Sequence, residues 1–280
     1  MVKILAGIVL YNPELCRLRD NIAAITPQVD KIVCVDNGSK NLGEIKEILS
    51  SNIELIENHE NLGIAAALNI IMNYAHKNNY EWFITLDQDS VCMPGLIENY
   101  YQYVNLENAA ILTCTIQDRN FSLKGKEISG IEEIDECITS ASFCNTAALL
   151  DVGGFDEKMF IDSVDFDVCM NLRTHGYKVY KTDFVGLLHE VGNGKDVYFL
   201  WKKRVAYNHS DLRNYYMARN HVYMAKKYPK NVSMIYVLLK ELEIELIILF
   251  YEENKIKKIR ARHRGLIDGL MLNMGKKRNI

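Results

Sequence analysis

Two groups of carboxylates in this sequence have the spacing to do chemistry. Asp87-Gln88-Asp89 directly follows the apolar run Trp82 to Leu86, and Asp162, Asp165 and Asp167 fall within six residues of one another. Two nearby carboxylates repel and raise each other's pKa unless a cation sits between them. If 87–89 continues the preceding strand, Asp87 and Asp89 face one side. A hard divalent ion, Mg²⁺ or Mn²⁺, then suits the pair and keeps positions for phosphate oxygens. The same tripeptide also suits a strand-end turn, with Asp89 or Ser90 capping a following helix, so Asp-x-Asp alone does not decide. Asp165 stands at or just before an expected helix start, where the dipole favours an acid. A helix cap needs one acid, however, and three are present. A carboxylate at the mouth of a site can take a proton from an attacking hydroxyl.

The elements that must position these groups are legible from periodicity. Ile4 to Leu10 is a continuous apolar run, as expected of a strand buried on both faces, and Tyr11-Asn12-Pro13 ends it. A helix follows to about Ile25, then a strand at Lys31 to Val35 stopped by Asp36-Asn37-Gly38-Ser39. A helix from about Leu42, a strand at Ile53 to Ile56, a helix from Gly63 to Asn78 and the strand at Trp82 complete the first part. Strands alternating with helices predict an α/β fold with a Rossmann-like, mostly parallel central sheet flanked by helices. In such sheets ligands collect at the C-terminal strand ends. Here those ends carry Tyr11-Asn12, Asp36-Asn37-Gly38, Asn58 to Gly63 and Asp87-Gln88-Asp89. Further on, Ile111 to Ile116 and Cys137 to Phe143 read as strands, Asp151 to Phe155 as a tight loop, and Phe166 to His175 as a helix closed by Gly176.

The bulk properties agree with a globular enzyme. The 280 residues are 49% hydrophobic and 25% charged, with a net charge of -3, which offers no case for nucleic-acid binding. Seven scattered cysteines without a CxxC pair point to a reducing compartment, the cytoplasm, and no disulfide framework. Met1-Val2-Lys3 leads straight into a strand, so no secretory leader is expected, and no apolar run reaches the length of a membrane span.

Taken in order, these motifs resemble the family 2 glycosyltransferases with the GT-A fold, particularly the bacterial rhamnosyltransferase-like branch. The carrying residues are Ile8 to Asn12, Val35 to Ser39, Asn61-Leu62-Gly63-Ile64-Ala65-Ala66-Ala67-Leu68-Asn69 and Asp87-Gln88-Asp89. They continue with Gly153-Gly154-Phe155-Asp156 and Val164-Asp165-Phe166-Asp167, before Arg173 and Gly176-Tyr177. The resemblance spans residue 4 to about 220. It implies that Tyr11, Asn12, Asp36 and Asn37 hold the nucleotide base and ribose, and that Asn61, Gly63 and Asn69 line the nucleotide pocket. Asp87 would meet the ribose or the metal, Asp89 would ligate the metal bridging the diphosphate, and Asp165 would be the catalytic base. Val164 stands where the family usually has a glutamate, and Asp162 is the nearby acid that can replace it. His189 is a further metal ligand by the resemblance and otherwise a structural histidine. Arg219, with Asn220, suits a diphosphate through its bidentate fork, or is a surface helix residue. The Gln-x-x-Arg-Trp motif of processive members is absent, which implies transfer of one or a few sugars.

The donor implied is dTDP-L-rhamnose, with a UDP-sugar as the alternative. The acceptor implied is a glycan or lipid-linked glycan of a cell-wall or surface polysaccharide. A sugar nucleotidyltransferase shares the sheet and the carboxylates but usually carries a Gly-rich loop with Arg and Lys near the N-terminus, where this chain has Leu10 to Pro13. A non-catalytic sugar- or nucleotide-binding module would need no base. The catalytic domain is expected over 1–225 and a C-terminal helical extension over 226–280. From Tyr251 to Ile280 nine Lys or Arg oppose three acids. That tail suits peripheral contact with an anionic membrane at its inner face, or else a homodimer contact or a helix pair that closes the core.

Overall fold

The computed structural model describes residues 3–118, 130–189, 195–199 and 201–273. The chain divides into two compact units, one of Met1–Phe160 with Val164–Glu190 and one of Ile161–Ser163 with Val191–Ile280.

The first unit is built on β1 (Ile4–Leu10), α1 (Leu15–Ile25), β2 (Lys31–Asp36), α2 (Leu42–Ile48), β3 (Ile53–Glu57), α3 (Ile64–Lys77) and β4 (Trp82–Asp87). It continues with β5 (Val91–Cys92), α4 (Leu96–Tyr101), β6 (Ala109–Asp118), β7 (Ile131–Ile134), β8 (Ser142–Asn145), α5 (Thr146–Asp151), α6 (Val164–Thr174) and β9 (Lys178–His189). The sheet order is β3-β2-β1-β4-β8-β6-β9-β5, with β7 also on β9. The β3-β2-β1-β4 half is parallel throughout, as the strand–helix alternation predicts. Beyond β4 the pairing becomes mixed, because β8 enters antiparallel to both β4 and β6.

The core explains why the parallel half holds. Ile4, Leu5, Ala6, Ile8 and Leu10 of β1 are buried, and α3 covers the strand with Leu68, Ile71 and Met72. Gly7 is what admits α3 so closely, since a Cβ there would lie 2.3 Å from Ile71 Cγ2. Each buried Leu or Ile contributes roughly 1.5–3 kcal/mol. On the mixed side Phe143 stacks on Trp82 and Tyr100 at 5.1 and 5.5 Å, and the Tyr100 hydroxyl donates to the Ala141 carbonyl at 2.7 Å.

The expected strand from Cys137 to Phe143 is a strand only from Ser142. Ala141 has a φ of 61°, a conformation that breaks a ladder, so 137–141 leaves the sheet as a loop. All seven cysteines are free thiols. Burial pushes Cys34 up to about 12. Cys169 is held well above the usual thiol range by its hydrogen bond with Cys137 and by burial.

The second unit holds the hairpin β10 (Lys195–Phe199) and β11 (Lys202–Ala206), then α7 (Asp211–Lys227), α8 (Met234–Tyr251) and α9 (Lys255–Met271). Gly265 and Gly269 let α9 close on α7: a Cβ at either would meet the Tyr215 or Arg219 carbonyl at 2.3 or 2.6 Å. Between these helices Arg262, with no exposed surface, meets Asn214 at 2.9 Å and Glu241 at 2.5 Å. His221 meets the other Glu241 oxygen. Removing one partner of a buried pair strands a charge, so Glu241→Ala is expected to cost about 3–5 kcal/mol in urea unfolding. Burial pushes the Glu241 carboxyl up, but His221 and Arg262 outweigh it and hold it below its usual range. A depressed carboxylate stabilises above its unfolded pKa and loses that contribution as pH falls through the folded one. The unit is therefore expected to weaken below about pH 4, and Glu241→Gln should flatten that acid limb.

Candidate active site

The four polar strand ends lie side by side. Register places Leu10 beside Asp36, Asp36 beside Glu57, and Val9 beside Asp87. Hydrogen bonds then stitch the loops into one rim. The Gln88 side chain accepts from Tyr11 N–H at 2.9 Å. Asn12, at a φ of 47°, donates its N–H to Ser39 Oγ at 2.8 Å and accepts from Lys40 N–H at 2.8 Å. The Asn37 amide donates to the Gly63 carbonyl at 3.0 Å and accepts from Asn58 at 2.8 Å.

The residues expected in the nucleotide pocket divide into two kinds. Tyr11, Asn12 and Asn61 are exposed on the rim, and Asn61 accepts from Gly63 N–H at 3.0 Å. Asp36, Asn37 and Asn69 are buried. The Asp36 carboxylate accepts from the N–H groups of Gly38 and Ser39, both at 3.0 Å, so it shapes the turn that carries Asn12's partner. Asn69 holds the Gly154-Phe155 loop: it accepts from Phe155 N–H at 2.9 Å and donates to the Phe155 carbonyl at 2.9 Å and to Glu157 at 2.8 Å. It is a strut where the sequence suggests a pocket wall.

Gly63 has a φ of 87°, and a Cβ there would lie 2.6 Å from the Phe160 carbonyl. That carbonyl already accepts from Ile64 N–H at 2.7 Å. Gly63→Ala is therefore expected to lose at least about 1–2 kcal/mol from backbone strain alone, read as a lower Tm and weaker nucleotide binding.

Asp87 closes β4, and Gln88-Asp89 form a turn locked by Ser90 N–H on the Asp87 carbonyl at 3.2 Å. The strand alternation expected to align the two carboxylates therefore stops at Asp87; a turn, not a pleat, sets their directions. Both are half-buried. Two residues missed in the sequence prop this turn. Buried Asn21 donates to the Asp87 carbonyl at 2.6 Å, and Ser140 accepts from Asp87 N–H at 3.3 Å and meets Ser90 Oγ at 2.6 Å. Asn21 carries a signal, a polar side chain in line with Leu18 and Ile25 on the buried face of α1. Ser140 carries none.

Asp165 is the second residue of α6, half-buried, with one oxygen accepting from Phe166 N–H at 3.0 Å. It borders a small recess, without room for a water molecule, together with Cys137, Ile138, Thr139 and Cys169. The Thr139 carbonyl in turn accepts from Thr85 Oγ1 at 2.6 Å. The loop 137–141 thus touches the Asp165 recess at one end and the Asp87 turn at the other. Asp162, by contrast, is taken by Arg213, with contacts at 3.0 and 3.1 Å in the second unit, and its φ is 65°.

Arg219 bends back on its own helix. Its guanidinium donates to the Asn220 side-chain Oδ1 at 2.9 and 3.0 Å and lies 4.6 Å from the Tyr216 ring centre. Asn220 donates to the Ile161 and Asp162 carbonyls, both at 2.8 Å. His189 ends β9 beside Asp118; its side chain lies outside the described residues. Among the described residues no group of three or more His, Cys, Asp or Glu forms a cation cage.

Comparison with known proteins agrees with this geometry. Residues 7–143 match the model of glycosyl transferase family 2. Over 95% of each chain the sequence is 29% identical to the dTDP-rhamnosyl transferase RfbF of Shigella flexneri. The fold resembles that of S. aureus TarS 1-349 solved with UDP-GlcNAc, with a TM-score of 0.57 and 14% identity over 96% of this chain and 81% of that one. It also resembles GalNAc-T7 solved with UDP, GalNAc and Mn²⁺, with a TM-score of 0.59 and 12% identity over 81% of this chain and 48% of that one. The parallel half-sheet, the polar rim at its strand ends and the Asp-x-Asp turn all lie within the matched residues, and over 7–143 the chain is similar to glycosyl transferase family 2.

Proposed function

We propose that the protein transfers L-rhamnose from dTDP-L-rhamnose, with inversion, to a glycan or lipid-linked acceptor in the synthesis of a bacterial surface polysaccharide. The similarity to the Shigella transferase along nearly the whole chain supports the donor. The observation that carries the mechanism is the loop 137–141, which ties the Asp165 recess to the Asp87 turn.

In this reading Tyr11, Asn12 and Asn61 contact the nucleotide, while Asp36, Asn37, Gly63 and Asn69 hold the loops that present them. Asp165 takes the proton from the acceptor hydroxyl as that oxygen attacks the anomeric carbon opposite the leaving group. Asp165 sits in the first turn of α6, which fixes its position on a rigid element. The catalytic region is taken as about 1–225 and the helical extension as 226–280.

Two half-buried carboxylates in one turn fit an ion such as Mg²⁺, which takes one or two carboxylates plus substrate phosphates. Asp87 and Asp89 would hold Mg²⁺ or Mn²⁺, with His189 as the further candidate, and the ion would supply positive charge against the departing diphosphate. The Mn²⁺ in the GalNAc-T7 structure supports this.

Calorimetric titration with dTDP, UDP and GDP, each with Mg²⁺, tests the donor. Tightest binding of dTDP, by about tenfold or more, is the expected result. Preference for UDP would retain glycosyl transfer and rule out the rhamnosyl assignment.

A further inference from the structure

We infer that the second unit docks on an anionic lipid surface through the outer face of α8 and the tip of the β10–β11 hairpin. The inference goes beyond the proposed function and does not depend on the donor. Residues 191–280 carry 19 Lys and Arg against 8 Asp and Glu, a net +11, whereas residues 1–190 carry 14 against 28. The whole-chain value of -3 conceals a strongly basic C-terminal third.

That basic unit also exposes apolar side chains in a pattern. On α8, Ile235, Leu239, Leu242 and Leu249 are 45–72% exposed, and with half-buried Leu246 they recur at steps of four and three, forming one stripe along the helix. The opposite side faces the unit's own interior through Val237, Glu241, Ile247 and Ile248. The helix therefore turns its charged Glu241 inward and its leucines outward. The hairpin packs beside the C-terminal end of α8, where Phe199 lies 6.4 Å from Phe250 and the Tyr251 hydroxyl donates to the Tyr198 carbonyl at 2.5 Å. At its tip Trp201 is 94% exposed.

Charge selects the occupant. A stripe at steps of four and three also suits pairing with a second helix. In a twofold pairing of this face with itself, however, a second copy brings another +11 unit, whereas an anionic bilayer brings the opposite sign. Lys202, Lys255, Lys257 and Arg260 are exposed, and each Lys or Arg near an anionic surface adds to attraction. The acids bordering the stripe are engaged: Glu243 by Arg204 at 2.6 Å and Glu245 by His263 at 3.1 Å. An aromatic at a hairpin tip with lysines beside it suits the headgroup layer. Among the described residues no helix is long and apolar enough to cross a membrane, so the contact is one of lying on the surface.

Flotation of the full chain with phosphatidylglycerol/phosphatidylcholine vesicles tests this, with pure phosphatidylcholine as control. The anionic vesicles should carry the protein, added salt should release it, and the fluorescence of Trp201 should shift to the blue while buried Trp82 contributes a constant background. Leu239→Glu with Leu242→Glu should lower partitioning about tenfold or more, and so should Lys255→Glu with Lys257→Glu. All four sites are exposed, and circular dichroism checks that each variant is folded. Failure to float with anionic vesicles overturns the inference, as does flotation unchanged by the leucine pair. A dimer in sedimentation equilibrium that the leucine pair dissociates, without flotation, assigns the face to a second copy and also overturns it.

Discussion

Asp165→Asn is expected to lower sugar transfer by about 10²–10⁴-fold, the range a positioned general base supplies, while nucleotide affinity stays near that of the native chain. The split follows from where Asp165 stands. It borders the recess with Thr139 and Cys169, whereas the expected nucleotide contacts lie on the rim with Tyr11, Asn12 and Asn61. Asparagine keeps the shape and can still accept from Phe166 N–H, so the helix start at Val164 is retained. It cannot take a proton at neutral pH. Rate and binding must be measured on the same preparation: a fall in kcat with an unchanged Kd for the nucleoside diphosphate is the expected outcome. Normal transfer by the variant would remove Asp165 from the chemistry. Asp162→Asn gives a useful contrast. Its carboxylate pairs with Arg213, so that change should act mainly on stability.

Asp89→Asn is expected to cost about 10²-fold or more in transfer, the size of effect seen when one stabiliser of developing negative charge is removed. Chelation of divalent ions should cost the native enzyme at least as much. The variant should also need a higher Mn²⁺ concentration for half-maximal rate, because one of two hard donors in the 87–89 turn is gone. A variant with native rate and native metal dependence would place the ion elsewhere. Asn21→Leu should weaken the same response without touching a ligand, since Asn21 holds the Asp87 carbonyl at 2.6 Å and so positions the turn. Its distinguishing sign is a shift in metal affinity larger than the shift in Tm.

What the sequence disclosed and what it withheld follow from how local each signal is. The strands of the parallel half are short and mostly apolar, and Pro13, Gly38 and Gly63 break the chain between them, so β1 to β4 were legible within a residue or two. The strand-end motifs were legible for the same reason, since each directly follows its strand. Whether a side chain points into a pocket or into the fold was not legible. Asp36 and Asn69 both read as ligand residues, yet their partners are Gly38, Ser39, Phe155 and Glu157. Two of those partners lie 86 and 88 residues from Asn69, and no local pattern encodes that distance. The loop 137–141 was misread as strand because its apolar residues obey the strand pattern; Ala141 at positive φ is what ends the ladder. That loop meets the Asp87 N–H through Ser140 and lies beside Asp165, so the error fell on the segment between the two proposed site aspartates. The exposed leucines of α8 were visible in composition but not in direction. Glu241, within that leucine-rich stretch, is the residue turned inward to Arg262.

The most direct test of the account is release of dTDP from dTDP-L-rhamnose by the full chain, followed with added Mg²⁺ or with chelator, with an oligosaccharide or lipid-linked acceptor present. The account predicts acceptor-stimulated release that chelation abolishes and Asp165→Asn nearly abolishes, with the sugar recovered on the acceptor in inverted configuration. Transfer that proceeds unchanged in Asp165→Asn, or a product with retained configuration, would contradict it.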